Sequence, residues 1–436
     1  MNRKVFVNTA RDEIGRCTVR KVAVRLLPFL FILYVIAFLD RVNFGYAALG
    51  MNSALGISAE IFGLLSGIFF IGYLLFEVPS NLILQRIGAR IWLTRIMIPW
   101  GIVVIVTAAA TDIIHLAALR FILGIAEAGF FPGVILYITF WFRKKDLAQA
   151  VALFMTALAV SNIIGAPVST YILDNIHWLG IESWRWLFII EGLPAIVLGI
   201  LTWFYLTDRP EDADWLEPQE KAWLKEELDL EREEQRNVCQ GTGMWAAIAD
   251  WRIWYLSLIY CTVTIGLYGL GFWMPQIIRT LNPDFSNFEI GLVMMIPFIA
   301  AGIAMIAWCR HSDATRERRW HAALPPLAGG LGLAGAGLVS NPVAAYLFLI
   351  LATIGIYCTF GPFWTLPAVF LVGTGAATGI ALINSIGNAG GFIGPALVGF
   401  LVQITGSMNA GLIAIGICLF LGRILAASTR PEEKTS

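Results

Sequence analysis

The sequence predicts an all-α membrane protein of twelve transmembrane helices, arranged as two six-helix pseudo-repeats. Three observations carry this. The 436 residues are 58% hydrophobic and only 14% charged, where a soluble chain carries about a quarter charged residues. Apolar runs of the length needed to cross a bilayer, about 20 residues each, recur along the chain. One long charged segment in the middle separates six such runs from six more. An aromatic share of 13%, with 16 Trp, suits side chains that sit at membrane interfaces.

The runs lie near 22–44, 60–84, 91–110, 113–140, 147–173 and 186–206 in the first half. In the second half they lie near 252–280, 288–308, 320–340, 343–370, 376–402 and 408–427. This divides the chain into a bundle over 1–206, a linker over 207–250 and a second bundle over 251–436. The linker is dense in acidic and basic residues from Asp208 to Arg236, with Trp215, Leu216, Trp223 and Leu224 at helical spacing. That pattern predicts an amphipathic helix lying near the membrane or on the helix ends.

Loop charge sets the expected orientation. Loops after even-numbered helices, with their flanks, carry Arg86, Arg90, Arg95, Arg143, Lys144, Lys145, Arg310, Arg316, Arg318 and Arg319. Loops after odd-numbered helices carry little beyond Arg185 and Arg279. The positive-inside rule makes the former cytoplasmic, and both termini with them. A multi-pass protein of a bacterial inner membrane is expected. Residues 1–21 are polar and basic but lack a small-residue cleavage site, so no removable signal peptide is expected.

Several classes are disfavoured. The formal net charge is zero, which points away from nucleic acid. The six Cys form no CxxC pair and the four His show no ligand spacing, so neither a metal site nor another cofactor is expected. Gly330-Leu-Gly332-Leu-Ala-Gly335 matches a dinucleotide fingerprint by letters, but it lies within an apolar helix, where glycines serve close packing. No GxxxxGK[ST] motif is present, which argues against an ATP-driven pump, and no nucleophile–base constellation points to an enzyme.

The halves look related. Gln85 and Asp313, Arg90 and Arg318, and Pro167 and Pro395 are each separated by 228 positions. One constant offset suggests duplication of a six-helix unit, and parallel repeats enclosing a midplane site are a transporter architecture.

Four ionisable residues fall inside helices 1 and 4, namely Asp40, Arg41, Arg120 and Glu127. Each costs about 2.5–3.5 kcal/mol at a helix centre on insertion scales, so they are expected to face one another or a wet cavity. Arg120 and Glu127 are seven apart and share a face, with a rise between them of about 10.5 Å; Asp40 and Arg41 point about 100° apart. A guanidinium binds a carboxylate through paired hydrogen bonds and stays charged, which makes Arg41 and Arg120 the anion-binding candidates. Carboxylates gain and lose protons, which makes Asp40 and Glu127 the proton-carrier candidates and, on this reading, the only two carboxylates deep in the first half. Structural ion pairs, or an interfacial position for Asp40 and Arg41, are the alternatives. Glu77, near the cytoplasmic end of helix 2, is expected to pair with a loop arginine such as Arg86 or Arg90. Tyr73, Gln276, Asn384 and Asn388 are candidates for gripping substrate oxygens.

The segments Asn81–Arg90 and Arg310–Arg319 resemble the loop signature of the major facilitator superfamily, a glycine, an acid, a base, a glycine and further bases. The second copy keeps its acid, Asp313, while the first has Gln85 there and Asn81 for the leading glycine. The resemblance implies a gating role for Asp313 with Arg318. Four further stretches are similar to the anion:cation symporter branch: Phe38-Leu-Asp40-Arg41-Val-Asn43-Phe44-Gly45, Gly72–Asn81, Arg120–Gly133 and Gly379–Gly391. Relatives in that branch carry tartrate and other sugar acids, aromatic carboxylates and similar small anions. The resemblance thus implies import of a small organic anion by proton symport with alternating access, with the roles named above at Asp40, Arg41, Arg120 and Glu127. A monomer is the expected unit. Phe38 stands where some sugar-acid carriers of the branch have Tyr, and with Trp273, Phe363 and Trp364 it favours a less polyhydroxylated substrate. An exchanger or uniporter of the same fold, and a sensor that keeps the fold without transport, remain the alternatives.

Overall fold

The computed structural model describes residues 2–238, 249–370 and 374–429, and among these the regular structure is helical with no strand. The first half contains α1 (Asn2–Ala54), α2 (Ala59–Ile87), α3 (Ala89–Thr107), α4 (Ile113–Glu127), α5 (Phe130–Thr139), α6 (Lys144–Met155), α7 (Ala157–Asn175) and α8 (Ser183–Tyr205). The linker contains α9 (Pro218–Val238). The second half contains α10 (Trp251–Leu281), α11 (Asn287–Thr315), α12 (Arg319–Leu338), α13 (Pro342–Phe370), α14 (Thr374–Gly387), α15 (Gly390–Thr405) and α16 (Met408–Ser428).

Three passes are each built from two helices. The fourth is α4 plus α5, the fifth α6 plus α7, and the eleventh α14 plus α15. The break in the fourth pass has a local cause. Gly129 sits in the left-handed region at φ +86° and caps the start of α5, a conformation glycine adopts without steric cost. Pro132 then falls in the first turn of α5, where its missing N–H costs nothing.

Among the described residues, eleven spans are long and apolar enough to cross a membrane. The expected ninth pass is the 20-residue α12, which falls outside that set because Pro325, Pro326 and glycines from Gly329 to Gly337 dilute its apolar character. It packs extensively on both α13 and α16. The small residues that lower its hydropathy are those that let backbones approach closely within a bilayer. The first pass is longer at both ends than the 22–44 run. Asp40 lies 14 residues before the end of α1, about 21 Å along the axis, so it sits inside the bundle and not at its rim.

The linker packs against the end of the bundle at which α1 begins and α16 ends. Leu224 and Leu228 of α9 are buried, and Trp215 stacks on Trp141 with centroids 5.4 Å apart. Arg143 lies over the Trp223 ring, and Lys21 reaches Glu220 at 2.8 Å. Of the two placements open to an amphipathic helix here, the structure shows the one against the helix ends.

The halves meet through α2 against α15, α7 against α11, and α1 against α10. At the end away from the linker, Asp174 accepts from Asn287 Nδ2 at 2.6 Å and from the backbone N–H of Phe288 at 2.7 Å. Midway, Asn162 Nδ2 donates to Tyr357 Oη at 3.1 Å. Glu77 corrects an expectation. It pairs with neither Arg86 nor Arg90 but faces the other half, accepting from Asn384 Nδ2 at 2.6 Å and Ser385 Oγ at 2.5 Å. The reason is burial: Glu77 is 1% exposed, whereas Arg86 is exposed to solvent and the Arg90 guanidinium lies over Trp203.

This contact yields a prediction. Glu77→Ala strands two buried donors, and should destabilise the protein by about 1–3 kcal/mol, seen as a lower thermal midpoint of purified protein. Arg86→Ala should leave the midpoint near that of wild type. Equal losses in the two variants would restore the loop pairing.

Candidate functional site

Arg41 and Asp40 are neighbours in sequence and diverge in space, as the helical geometry requires. Arg41 points toward the second half. Its Nε donates to Glu127 Oε1 at 3.0 Å, its Nη2 forms an ion pair with the same oxygen, and its Nη1 donates to Tyr268 Oη at 3.0 Å. The rings of Phe69 and Tyr73 flank the guanidinium at 5.4 and 5.3 Å. Glu127 is completely buried, and its second oxygen, Oε2, has no hydrogen-bond partner.

Arg120 lies on the same face of α4 as Glu127 but does not pair with it, in keeping with a rise of about 10.5 Å over seven residues. Its Nε and Nη2 lie 3.4 Å from the carbonyls of Leu65 and Ser66. Phe44, Phe69 and Phe272 surround its guanidinium at 4.5, 5.2 and 5.7 Å. Arg120 is 1% exposed and has no carboxylate partner among the described residues. Phe272 belongs to the second half, so both arginines stand where the halves meet, with Phe69 touching both. Beside them lies a cavity of about 10 Å³ lined by Phe38, Asn162, Tyr268, Gly271 and Tyr357 among others, room for about one water.

The remaining candidates separate. Tyr73 is drawn into the site, its ring against Arg41. Asn384 is committed to Glu77. Asn388 lies buried at the break between α14 and α15, and Gln276 keeps a buried Nε2 without a partner. Asp313 and Arg318 pair at 2.7 Å at the surface between α11 and α12, with Arg318 also donating to buried Ser312. Asp40 turns into the first half, away from Arg41, and both its oxygens lack hydrogen-bond partners.

Two participants were not foreseen. Tyr268, which completes the hydrogen bonding of Arg41, lies in the small-residue stretch Gly266-Leu-Tyr-Gly-Leu-Gly271 of α10, where a phenol among glycines was the available signal. Glu191 lies in the apolar run of α8 and is 2% exposed. Asp40 and Glu127 are thus not the only deep carboxylates of the first half, since Glu77 and Glu191 are buried there too. Glu191 is the one charged residue inside the 186–206 run; it was legible, and weighing helices 1, 2 and 4 passed over it.

Comparison with known proteins bears on the family and the fold. The family model described as Major Facilitator Superfamily matches residues 30–395. The chain is 45% identical over 425 residues to an Agrobacterium vitis protein named "Putative tartrate transporter", covering 97% of each. It is 37% identical over 412 residues to the "Inner membrane transport protein RhmT" of Escherichia coli, covering 94% of this chain and 95% of that one. The solved structure of the xylose transporter XylE from E. coli, in a partially occluded inward open conformation, superposes with a TM-score of 0.76 over 95% of this chain and 99% of that one. At 13% identity that likeness speaks for the fold alone. The chain belongs to the major facilitator superfamily, as a multi-pass membrane transporter and not an enzyme.

Proposed function

We propose that this transporter imports a small organic carboxylate, such as tartrate, a related sugar acid or an aromatic acid, together with protons. The observation that carries the reading is Arg120, a buried guanidinium in an aromatic cage between the halves, with long contacts to two carbonyls and no acidic partner among the described residues. A buried charge of this kind calls for a counter-ion, and a carboxylate supplies both the charge and the paired acceptor geometry that a guanidinium matches. Arg41, held by Glu127, is the second binding group. An arriving carboxylate competes with Glu127 for Arg41. The displaced Glu127 would be a buried anion without its cation, a state costing about 3–5 kcal/mol that proton uptake relieves. Anion binding and protonation thereby favour each other, and release on the other side reverses both. Tyr73, Gln276 and Asn388 offer further polar contacts to substrate oxygens.

The names of the relatives support the substrate class and an inner-membrane location. The loop arginines share one end of the bundle with the start of α1 and the end of α16, and the positive-inside rule assigns that end to the cytoplasm. Both halves of the site come from one chain, so a monomer suffices. The Asp313–Arg318 pair is exposed and contributes little to stability, and its role is to bias the transporter between its two open states.

Arg120→Ala and Arg41→Ala should each weaken binding of a responsive organic acid about thirtyfold or more, from 2–5 kcal/mol per buried charged contact. Calorimetry after a thermal-shift screen of tartrate, sugar acids and aromatic acids measures this, and near-native affinity in either variant would remove that residue from the site. Glu127→Gln should lose accumulation driven by an imposed pH gradient in reconstituted vesicles yet keep substrate exchange, because the amide mimics the protonated acid and cannot release a proton. Wild-type accumulation by this variant would end the coupling role. Asp313→Asn should slow turnover at nearly unchanged affinity, and the opposite pattern would place Asp313 outside the gate.

A further inference from the structure

The turn between α11 and α12 carries a chain of titratable groups that the anion site does not use. His311, near the end of α11, is exposed, and His321, in the first turn of α12, is buried. His311 Nδ1 and His321 Nε2 are 2.7 Å apart, and the other ring nitrogen of His321, Nδ1, is 2.8 Å from Glu317 Oε2. Trp308 braces the pair. Its ring centroid lies 6.2 Å from that of His311 and 4.9 Å from that of His321, and its Nε1 donates to the His321 carbonyl at 2.9 Å. The other two histidines, His115 and His177, bond elsewhere, to Thr111 and Ser183.

The hydrogens of this chain can be counted. Glu317 accepts from the backbone N–H groups of Trp320 at 2.7 Å and His321 at 3.1 Å as well as from the His321 ring, and three N–H donors favour an ionised carboxylate. An ionised carboxylate only accepts, so His321 Nδ1 bears a hydrogen. Its Nε2 is bare while the ring is neutral, and accepts the hydrogen of His311 Nδ1. One added proton keeps the link, because a single hydrogen still lies between the rings. A second makes both rings imidazolium, with two N–H groups and two positive charges facing each other across 2.7 Å, and the link breaks. The surroundings oppose that second proton. On the turn itself, Asp313 is taken up by Arg318, Arg319 Nε donates to the Ala427 carbonyl of α16 at 2.7 Å, and Arg310 and Arg316 are exposed. α11 and α12 pack on α7, α13 and α16. α16 brings Arg423, one turn before Ala427, and Cys418; α13 brings no charge, only Tyr346, Tyr357 and Cys358 as titratable groups. Asp174 and Tyr171 of α7 and Arg279 of α10 are engaged at the opposite end of α11, against Asn287 and Phe288. The break therefore falls below the ordinary histidine value of about 6.5.

The link closes the turn on which the Asp313–Arg318 pair is built. Arg316 sits in the left-handed region at φ +54°, which a residue with a side chain adopts only at a cost, so the turn needs bonds across it. Ser312 Oγ donates to the Glu317 carbonyl at 3.0 Å and accepts from Arg318 Nη1 at 2.9 Å, and Arg318 in turn holds Asp313. Glu317 thus anchors the histidine pair through its side chain and the arginine through its backbone. We infer that His311, His321 and Glu317 form an acid-sensitive catch on this turn, which holds the end of α11 to the start of α12 near neutral pH and lets go when both rings are protonated. Protonation adds a hydrogen to a ring nitrogen and breaks no covalent bond. The catch lies at the end assigned above to the cytoplasm, so acid accumulating there slows further import. The inference rests on the proposed gate role of Asp313 and Arg318 for its effect on transport, though not for the coupled protonation of the two rings.

The test is magnetic-resonance titration of the purified full chain with isotope-labelled histidine, for wild type, His311→Gln and His321→Gln, with His115 and His177 as internal references. Expected in wild type are two ring signals that move together in two steps as pH falls from about 8 to 5, the second step accompanied by faster hydrogen–deuterium exchange over residues 310–321. In His311→Gln the remaining ring titrates in one step, and the exchange is already fast at neutral pH. His311 is exposed, so this variant carries the test where His321→Gln fails to fold. Two independent one-step titrations in wild type, or a pair that zinc occupies at neutral pH with no second proton step, would overturn the catch. Substrate exchange in vesicles, at equal pH on both sides, separates this inference from the transport reading. Wild type should lose exchange severalfold between neutral pH and about pH 5.5, while His311→Gln starts near the acid rate and changes little. Coupled titration with the same exchange profile in both proteins upholds the catch and removes the gate role of Asp313 and Arg318. Independent titration with slowed turnover in Asp313→Asn does the reverse.

Discussion

The Arg41–Glu127 pair holds two charges in the buried interior of the bundle, and much of the surrounding architecture follows from keeping it there. Glu127 is the last residue of α4, at the carbonyl end of a helix, where the helix dipole already disfavours a negative charge. Burial adds to that cost. The arginine, the phenol of Tyr268 and the flanking rings of Phe69 and Tyr73 together make the arrangement tenable, and they come from α1, α2 and α10. The pair ties three helices of the first half to one of the second, and its geometry depends on how the halves sit together.

Arg120 presents the complementary situation, a positive charge whose neighbours are rings and carbonyl oxygens. Ring faces attract a cation and carbonyls accept its protons, so the guanidinium is tolerated without being neutralised. The site is thus asymmetric in charge. One arginine is satisfied by a carboxylate that can be displaced, and the other is held by groups that cannot leave. On the proposed reading, an anion entering between them meets one fixed and one conditional partner.

Much of this was legible in the sequence. The hydropathy runs gave the passes, because a bilayer leaves little freedom in helix length. The cost of charge in an apolar helix singled out Asp40, Arg41, Arg120 and Glu127, and all four are buried. What the sequence could not supply was partnership. Arg120 and Glu127 share a face and do not touch, while Glu127 meets an arginine 86 positions away. Glu77 looked like a loop-facing residue and instead reaches across to Asn384, because position along a helix does not fix which neighbour its face meets. Tyr268 and Glu191 carry ordinary local signals, and only the packing of α10 and α8 makes them part of buried polar sites. Low hydropathy similarly understated α12, whose glycines trade greasiness for intimate packing.

The discontinuity at Gly129 has a mechanical meaning. The fourth pass is jointed two residues after Glu127, with the left-handed glycine as the pivot and α5 running on from it as a separate rod. A side chain clasped to Arg41 on one side of a joint restrains that joint, much as a pin set beside a knuckle does. Withdrawing the pin leaves the two rods coupled through few backbone bonds. A chemical event at one carboxylate can in this way be felt as a change of bend in the helix that bears it.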